Sequence, residues 1–138
     1  MSDLRERVAE ARAARLATID PDGRPHLVPI VFVLDRDTVY TAVDAKPKRT
    51  RLLQRIENAR VRPDATMLVD YYDDDDWGRL WWVRLRCRAR VLDGGAEAER
   101  ALRLLSKKYE QYGEQPPAAP VLALDVVEWR GWTGAQIA

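Results

Sequence analysis

The chain has very little of what most side-chain catalysis requires. Its 138 residues include one cysteine, Cys87, one histidine, His26, and two serines, Ser2 and Ser106. A single cysteine excludes an intramolecular disulfide and a cysteine-based zinc cluster, and a single histidine excludes a histidine-rich metal site. Neither serine has a neighbouring base, which argues against triad chemistry. We therefore expect no metal site and no catalytic side chain, so that any chemistry comes from a bound cofactor.

Long apolar runs and strong net charge are missing too. The longest apolar stretch, residues 27–34, is far shorter than the roughly 20 residues that span a bilayer, and the first residues lack the apolar segment of a signal peptide. The formal net charge is only +1, and no helix-turn-helix, zinc finger or RNP motif is visible. We expect a single cytoplasmic domain over residues 1–138, with no membrane and no nucleic-acid partner.

Against this near-neutral background stands a cluster of cations. Seven lysines and arginines fall within residues 46–62, where Glu57 is the only acid. A charge run is compatible with a plain solvated helix face. Its position favours an anion site instead, because the strand that contains Thr41 leads to Lys46, Lys48 and Arg49 at a predicted helix start. Unpaired N–H groups and the helix dipole favour phosphate there.

Apolar periodicity predicts the order helix, three strands, short helix, two strands, helix, strand. The turn at residues 20–23, Asp-Pro-Asp-Gly, predicts a β-hairpin, and Asn58 is available to end the short helix. The predicted strands are residues 15–19, 27–34, 38–43, 65–72, 80–92 and 121–129, and the two longer helices are residues 3–14 and 96–112. Short connections and long alternating strands favour a mainly β (α+β) fold, a six-stranded antiparallel barrel with flanking helices.

Residues 80–92 form the clearest predicted strand, because apolar and polar side chains alternate almost throughout. One face carries Trp81, Val83, Leu85, Cys87, Ala89 and Val91, and the other carries Trp82, Arg84, Arg86, Arg88 and Arg90. Four arginines on one sheet face must meet water, acids or an anionic ligand. We expect Trp81 in the core and Trp82 as a ligand wall or a dimer contact.

Three further features have competing interpretations. The four aspartates at residues 73–76 are expected to form a solvated turn rather than a metal site, since no glycine-spaced calcium loop surrounds them. Pro29 lies inside an apolar run and has no N–H to donate, which indicates a bulge or a missing strand partner, where a flat ring could approach the backbone. His26 is expected at the surface, at the end of a strand.

Several motifs recur in an order typical of one family. They are the series at residues 17–30, Ala-Thr-Ile-Asp-Pro-Asp-Gly-Arg-Pro-His-Leu-Val-Pro-Ile, and Tyr40-Thr41 followed by Lys46-Pro47-Lys48-Arg49 and Leu53. Together they resemble the pyridoxamine 5′-phosphate oxidase-like split β-barrels. The motifs at residues 68–73, 76–77, 80–84, 109–112 and 120–126 are similar to those of the actinobacterial branch of coenzyme F420-dependent enzymes in that family.

The resemblance implies a homodimer with a cofactor groove at each end of the subunit interface. The implied contacts are Val28, Pro29 and Ile30 along the ring system, and Thr41, Lys46, Lys48 and Arg49 at the cofactor phosphate. In the family, Ser-Arg-Lys is usual before the short helix, whereas this chain has Lys46-Pro47-Lys48. The hydroxyl ligand and one cation therefore differ, and Lys48 is the best matched of these positions.

The implied activity is an F420-dependent oxidoreductase that transfers a hydride between the deazaflavin and a small conjugated acceptor. The charge distribution favours F420 over FMN, because F420 adds a phosphodiester and an oligoglutamate tail to the single phosphate that FMN presents. An FMN-dependent oxidase or reductase of the same fold is the alternative, and a non-catalytic flavin- or deazaflavin-binding protein is another. Tyr71 or Tyr72 is a candidate proton donor to the reduced substrate.

Overall fold

Strands dominate the structure, a computed structural model that describes residues 2–43 and 54–137. The helices are α1 (Ser2–Glu10), α2 (Gln54–Val61), α3 (Ala96–Lys108) and α4 (Gln111–Glu114). The strands are β1 (Ala14–Ile19), β2 (Pro25–Ile30), β3 (Val33–Asp35), β4 (Thr38–Val43), β5 (Asp64–Tyr71), β6 (Trp81–Leu92) and β7 (Ala118–Thr133). Short 3-10 turns span Trp77–Arg79 and Gly134–Ile137. None of the helices in these residues has the length and apolar content needed to cross a bilayer.

The seven strands form one antiparallel sheet in the order β2-β1-β5-β6-β7-β4-β3. β2 and β3 are the two edges of that order, yet only Val31 and Phe32 separate them in sequence. A flat sheet would place the edges roughly 29 Å apart at about 4.8 Å per strand, whereas three peptide steps reach at most about 11 Å. The sheet must therefore curl until its edges meet, and the result is a barrel.

The strand count is seven rather than the predicted six, because the apolar run at residues 27–34 does not form one strand. β2 ends at Ile30 and β3 begins at Val33, so the chain passes from one edge of the sheet to the other between them. Pro29 fits this arrangement, since it lies in an edge strand and pairs with Arg15 on one side only. Phe32 fills the break with a fully buried ring.

Three helix ends differ from the prediction. α1 ends at Glu10 rather than near residue 14, because Ala14 is already the first residue of β1. Asn58 does not end α2, which continues to Val61; the Asn58 side chain is buried and its Nδ2 donates to Thr18 Oγ1 at 3.0 Å. α3 ends at Lys108 instead of continuing to residue 112. Its next residue, Tyr109, turns towards the β2–β3 break, where its hydroxyl lies 3.0 Å from the Phe32 carbonyl oxygen.

Two clusters of buried apolar side chains hold the sheet and the helices together. The barrel interior is filled by inward side chains that include Leu16, Met67, Val83, Leu85, Leu122 and Leu124. α1 closes one end of the barrel through Val8, and α2 contributes Ile56 to the same cluster. α3 packs outside on β4 and β7, where Ala101 and Leu105 meet Tyr40 and Val121. This explains four consecutive buried residues at the start of β7, since both of its faces are covered there.

An ion network fixes the start of α3. The Arg90 guanidinium donates to Glu97 Oε2 at 2.8 Å and to Asp125 Oδ2 at 2.6 Å, and the Tyr40 hydroxyl donates to Glu97 Oε2 at 2.7 Å. The hydrogen bonds from Arg90 and then Tyr40 lower the pKa of Glu97 to about 2, while burial and the bond to Glu97 raise the pKa of Tyr40 to about 12. Of the four arginines on β6, Arg90 is therefore engaged within the fold.

Glu97→Gln should reduce the acid sensitivity of the protein. Because the carboxyl pKa falls from 4.5 to about 2 on folding, the unfolded state binds more protons between these values, and the contribution of Glu97 to stability is lost as pH falls through that window. Urea unfolding at several pH values should show a shallower pH dependence for Glu97→Gln. The slope should change by less than one proton, because a single carboxyl is removed, and solvent screening of this 39% exposed side chain reduces the change further. Glu99→Gln, on an exposed position of α3, is the control; equal slopes for Glu97→Gln and wild type would contradict the prediction.

Candidate functional site

One side of the barrel keeps its outward side chains largely uncovered, and we call it the open face. It consists of the outward positions of β2, β1, β5, β6 and the end of β7. The strand register places two rows across it: Pro29, Arg15, Leu68, Arg84 and Arg130, and then Leu27, Ala17, Thr66, Arg86 and Glu128. Leu27 is 68% exposed. A sheet face that presents apolar and cationic side chains together is typical of a binding surface.

A β-bulge adds one more apolar side chain to the open face. Arg86 is paired with Glu128 and Cys87 with Val126, so Val127 is an extra residue in β7. Its side chain is 61% exposed. No local pattern in the sequence marks this residue, because the bulge depends on the register between two strands distant in sequence.

An aromatic cavity of about 350 Å³ lies where β5 ends and β6 begins. Its walls are Leu68, Asp70, Tyr71, Tyr72, Leu80, Trp81, Trp82, Arg84 and Trp132. The Arg84 guanidinium carbon lies 5.6 Å from the centre of the Trp82 ring, and Asp70 Oδ1 lies 4.0 Å from Arg15 Nη1. Flat apolar walls with one acid and one guanidinium suit a flat conjugated ring that has polar edges.

A cationic cavity of about 360 Å³ lies further along the same face. It is lined by Ala17, Ile19, Asp64, Ala65, Thr66, Arg86, Cys87, Arg88 and Val127. The contact between Arg86 and Glu128 is long, 3.8 Å, and Arg88 has no ion pair with any residue that the structure describes. These two guanidinium groups are therefore available to an anion. Trp82 and Arg88 are six residues apart on β6, so the far ends of the two cavities lie roughly 20 Å apart. Their near walls, at Arg84 and Arg86, are adjacent on the same face.

Cys87, at the edge of the cationic cavity, is not an activated thiol. Its residue is buried, and burial, with a smaller contribution from the charge of Asp125, raises the pKa of the thiol to about 12. The thiolate, which is the nucleophilic form, is therefore scarce at neutral pH.

The residues that were predicted to bind cofactor lie in different parts of the fold, as far as they are among the described residues. Trp82 lines the aromatic cavity and Pro29 lies on the open face, two strands away from Leu68 of that cavity. Val28 and Ile30 point the other way and pack against the barrel core. Lys46, Lys48 and Arg49 lie outside the described residues, so their contacts with a phosphate stay a prediction.

Thr41 was predicted to contact the cofactor phosphate, and in the structure its side chain is buried. It is 1% exposed, and its hydroxyl donates to the Val31 carbonyl oxygen at 2.7 Å. This bond ties β4 to the break between β2 and β3. Contact of Thr41 with a phosphate stays a prediction, whereas its part in holding the two edges of the barrel together is seen directly.

Thr41→Val should destabilise the fold by about 1 kcal/mol, because the Val31 carbonyl loses its hydroxyl donor while the shape of the side chain is kept. The free energy of unfolding in urea measures this effect, and Thr41→Ser, which keeps the hydroxyl, is the matched comparison. If Thr41→Val unfolds at the same urea concentration as wild type, the bond to Val31 contributes nothing measurable.

Tyr71 or Tyr72 was predicted to donate a proton, and Trp82 was predicted to form a ligand wall or a dimer contact. The structure brings all three residues to one cavity. The Tyr72 hydroxyl donates to Asp74 Oδ1 at 2.8 Å, whereas the Tyr71 hydroxyl has no hydrogen-bond partner among the described residues. His26 lies near the start of β2, as expected, but it is half-buried opposite Thr18 rather than fully at the surface, and its Nδ1 is buried without a partner in the part of the chain described.

The chain is similar to a known protein family and to several solved structures. The pyridoxamine 5′-phosphate oxidase family model matches residues 2–133, while no curated protein sequence gives a significant match. The conserved hypothetical protein Rv2991 of Mycobacterium tuberculosis has a similar structure, with a TM-score of 0.75, 19% identity and coverage of 99% of this chain and 86% of that one. The heme storage protein HutZ of Vibrio cholerae has a TM-score of 0.72 and 14% identity, with coverage of 96% of this chain and 92% of that one. The FAD-binding protein of Mycobacterium smegmatis has a TM-score of 0.64 and 18% identity, with coverage of 95% of this chain and 92% of that one.

The curled antiparallel sheet, closed by helices and carrying an open face, is a split barrel. Since the family model covers nearly the whole chain, the protein belongs to the pyridoxamine 5′-phosphate oxidase family.

Proposed function

We propose that the protein is an F420-dependent oxidoreductase that acts as a cytoplasmic homodimer and reduces a small conjugated acceptor. The observation that supports this most is the layout of the open face. An aromatic cavity and a cationic cavity adjoin each other along β6. Trp82 is in the wall of the first and Arg88, roughly 20 Å further along the strand, is in the wall of the second. A flat ring that carries a long anionic tail matches both ends of this surface.

The choice of F420 over FMN rests on the arginines that the fold does not use. Arg90 is engaged by Glu97 and Asp125, but Arg86 makes only a long contact and Arg88 makes none within the described residues. The single phosphate of FMN is accounted for by the predicted Lys46–Arg49 segment, so that two further guanidinium groups suit additional carboxylates. The solved neighbour from M. smegmatis is named FAD-binding. This name supports a flavin-type ring and does not distinguish between cofactors with different anionic tails.

The bound cofactor would supply the hydride chemistry. The chain itself would orient the ring between Trp82 and Trp132, keep water from it, and hold a proton near the acceptor. For that last task Tyr71 is better suited than Tyr72, because the hydroxyl proton of Tyr72 is already donated to Asp74.

The open face is also the basis for the proposed dimer. Leu27 and Val127 are large apolar side chains, more than half exposed, on a sheet whose arginines and Glu128 offer complementary charge. A second copy laid against the open face would cover these side chains and enclose the two cavities. Size-exclusion chromatography with light scattering tests this part; a monomer at micromolar concentration would remove it.

Titration with F420 and with FMN, followed by quenching of tryptophan fluorescence, tests the cofactor. We expect saturable binding of F420, and we expect the double variant Arg86→Gln/Arg88→Gln to weaken F420 roughly tenfold while FMN changes less than about threefold, since each exposed charge pair contributes modestly. The control, Arg24→Gln/Arg103→Gln, removes two exposed arginines that line neither cavity.

Each outcome selects between the candidates. Binding of FMN without F420 would favour the FMN-dependent oxidase or reductase, and binding of neither would favour a protein that has lost its cofactor. If F420 binds, turnover of the reduced form with quinones or nitro compounds separates an enzyme from a non-catalytic carrier.

A further inference from the structure

A third cavity lies beyond the open face, at the barrel end that α1 covers. Its volume is about 460 Å³, within the range of about 300–1,000 Å³ that is typical of small-molecule sites. It is lined by Arg7, Tyr71, Gly78, Arg79, Trp81, Thr133 and Ala135. These residues come from α1, the end of β5, the 3-10 turn before β6, the start of β6 and the end of the chain.

The polar side chains that line this cavity can all donate hydrogen bonds, and no carboxylate is among them. They are two guanidinium groups and two hydroxyls. Thr133 Oγ1 accepts from the Ala135 N–H at 3.3 Å, which leaves its own proton to donate. The Tyr71 hydroxyl has no partner among the described residues.

The nearest acid to Arg79 is Asp73, and it compensates this charge only in part. Arg79 Nε lies 3.6 Å from Asp73 Oδ2, beyond the usual length of a hydrogen bond. The other oxygen of Asp73 already accepts the N–H groups of Asp75 and Asp76 at 2.9 and 3.2 Å. Arg7 has no ion pair within the described residues. A donor set with surplus positive charge selects an anion.

The walls add a preference for a flat molecule. The Arg7 guanidinium carbon lies 5.7 Å from the centre of the Trp81 ring, and Tyr71 presents a second ring to the same space. Arginine matches the planar fork of a carboxylate with two parallel hydrogen bonds, while the indole offers a face to an aromatic ring.

We propose that this cavity is a binding site for a small aromatic carboxylate, with Arg7 and Arg79 at the carboxylate and Trp81 and Tyr71 at the ring. The site does not depend on the proposed cofactor or activity. Trp81 and Tyr71 also line the aromatic cavity, so the two cavities have a common wall.

Benzoate, benzamide and inorganic phosphate are the probes. The indole N–H signal of Trp81 in a ¹⁵N-labelled protein, assigned by its loss in Trp81→Phe, reports on the cavity. We expect benzoate to shift this signal saturably, with a dissociation constant in the millimolar range, and benzamide and phosphate each to bind at least about tenfold more weakly, because each lacks one half of the recognised group. Arg7→Gln/Arg79→Gln should weaken benzoate at least about tenfold, and Arg24→Gln/Arg103→Gln should not.

Equal benzoate affinity in Arg7→Gln/Arg79→Gln and wild type would overturn the proposal. Phosphate that binds as tightly as benzoate would overturn the aromatic part of it. Should the double variant unfold, the single variant Arg79→Gln decides, since this side chain is 66% exposed and its replacement leaves the core intact. Absence of F420 binding would count against the proposed function and would leave the benzoate result unaffected.

Discussion

Phe32→Ala is expected to lower the free energy of unfolding by about 3–5 kcal/mol, the usual cost of removing a fully buried phenylalanine ring. Phe32 is 0% exposed and lies in the two-residue break where the chain passes between the edges of the barrel. Its removal would leave a cavity next to a cation, because Lys108 Nζ lies 4.1 Å from the centre of the ring. A loss of this size corresponds to a melting temperature roughly 10–17 °C lower.

Hydrogen bonds to the backbone of Phe32 should keep the surrounding structure from closing over the cavity that Phe32→Ala leaves. Its N–H donates to the Tyr109 hydroxyl at 3.2 Å, and its carbonyl oxygen accepts from Lys108 Nζ at 2.9 Å. Lys108 is itself half-buried, and burial, together with the charge of Arg12, lowers its pKa to about 8. Because these bonds hold the backbone in place, the walls cannot close around the missing ring.

Urea unfolding, with the slope of the transition compared between variants, measures the loss. Phe32→Leu keeps most of the volume and should cost less than half as much. Val61→Ala, at an exposed position at the end of α2, should stay within about 0.5 kcal/mol of wild type. A Phe32→Ala protein as stable as the Val61→Ala protein would show that the break is not anchored by this ring.

The parts of the fold that the sequence predicted are those with local causes. β6 was predicted from its alternation, and its inward residues are buried while its arginines are exposed, because one face meets the core and the other meets water. The first hairpin was predicted from the turn at residues 20–23, where Gly23 has a φ of 81°, a conformation that glycine adopts without strain.

The parts that were missed depend on contacts between distant segments. The apolar run at residues 27–34 looks continuous, and only the pairing of β2 with β1 and of β3 with β4 shows that it is divided. Val127 is displaced by the register between β6 and β7. The end of α3 depends on Tyr109 reaching the β2–β3 break.

The candidate site divides in the same way. Trp82 and the arginine face were predicted from alternation, which is a property of one strand. The aromatic cavity needs β5, β6 and the end of β7 together, so Trp132 could not be assigned to the same wall as Tyr71. Thr41 was predicted as a ligand because of the motif around it, and only the structure shows that its hydroxyl is bound to Val31.

Lys48→Ala is expected to weaken cofactor affinity by roughly 1.5–3 kcal/mol, the range for a hydrogen bond to a charged group, which is about 10- to 150-fold in the dissociation constant. Lys48 belongs to the segment between β4 and α2 and is the cation that best matches the phosphate-binding pattern. Lys48→Arg keeps the charge and should lose less. Lys107→Ala, at an exposed position near the end of α3, controls for the loss of one positive charge.

The two ligands make this prediction sharper, because F420 and FMN both carry a phosphate near the ring, whereas only F420 carries the acidic tail. If Lys48 binds that phosphate, Lys48→Ala should weaken both ligands by the same factor, while Arg86→Gln/Arg88→Gln weakens F420 alone. Fluorescence titration of wild type and of both variants with each ligand gives the six dissociation constants that this comparison needs. Unchanged affinity in Lys48→Ala would remove the phosphate pocket from the Lys46–Arg49 segment, and an equal loss of both ligands in the arginine variant would place the phosphate itself at the open face.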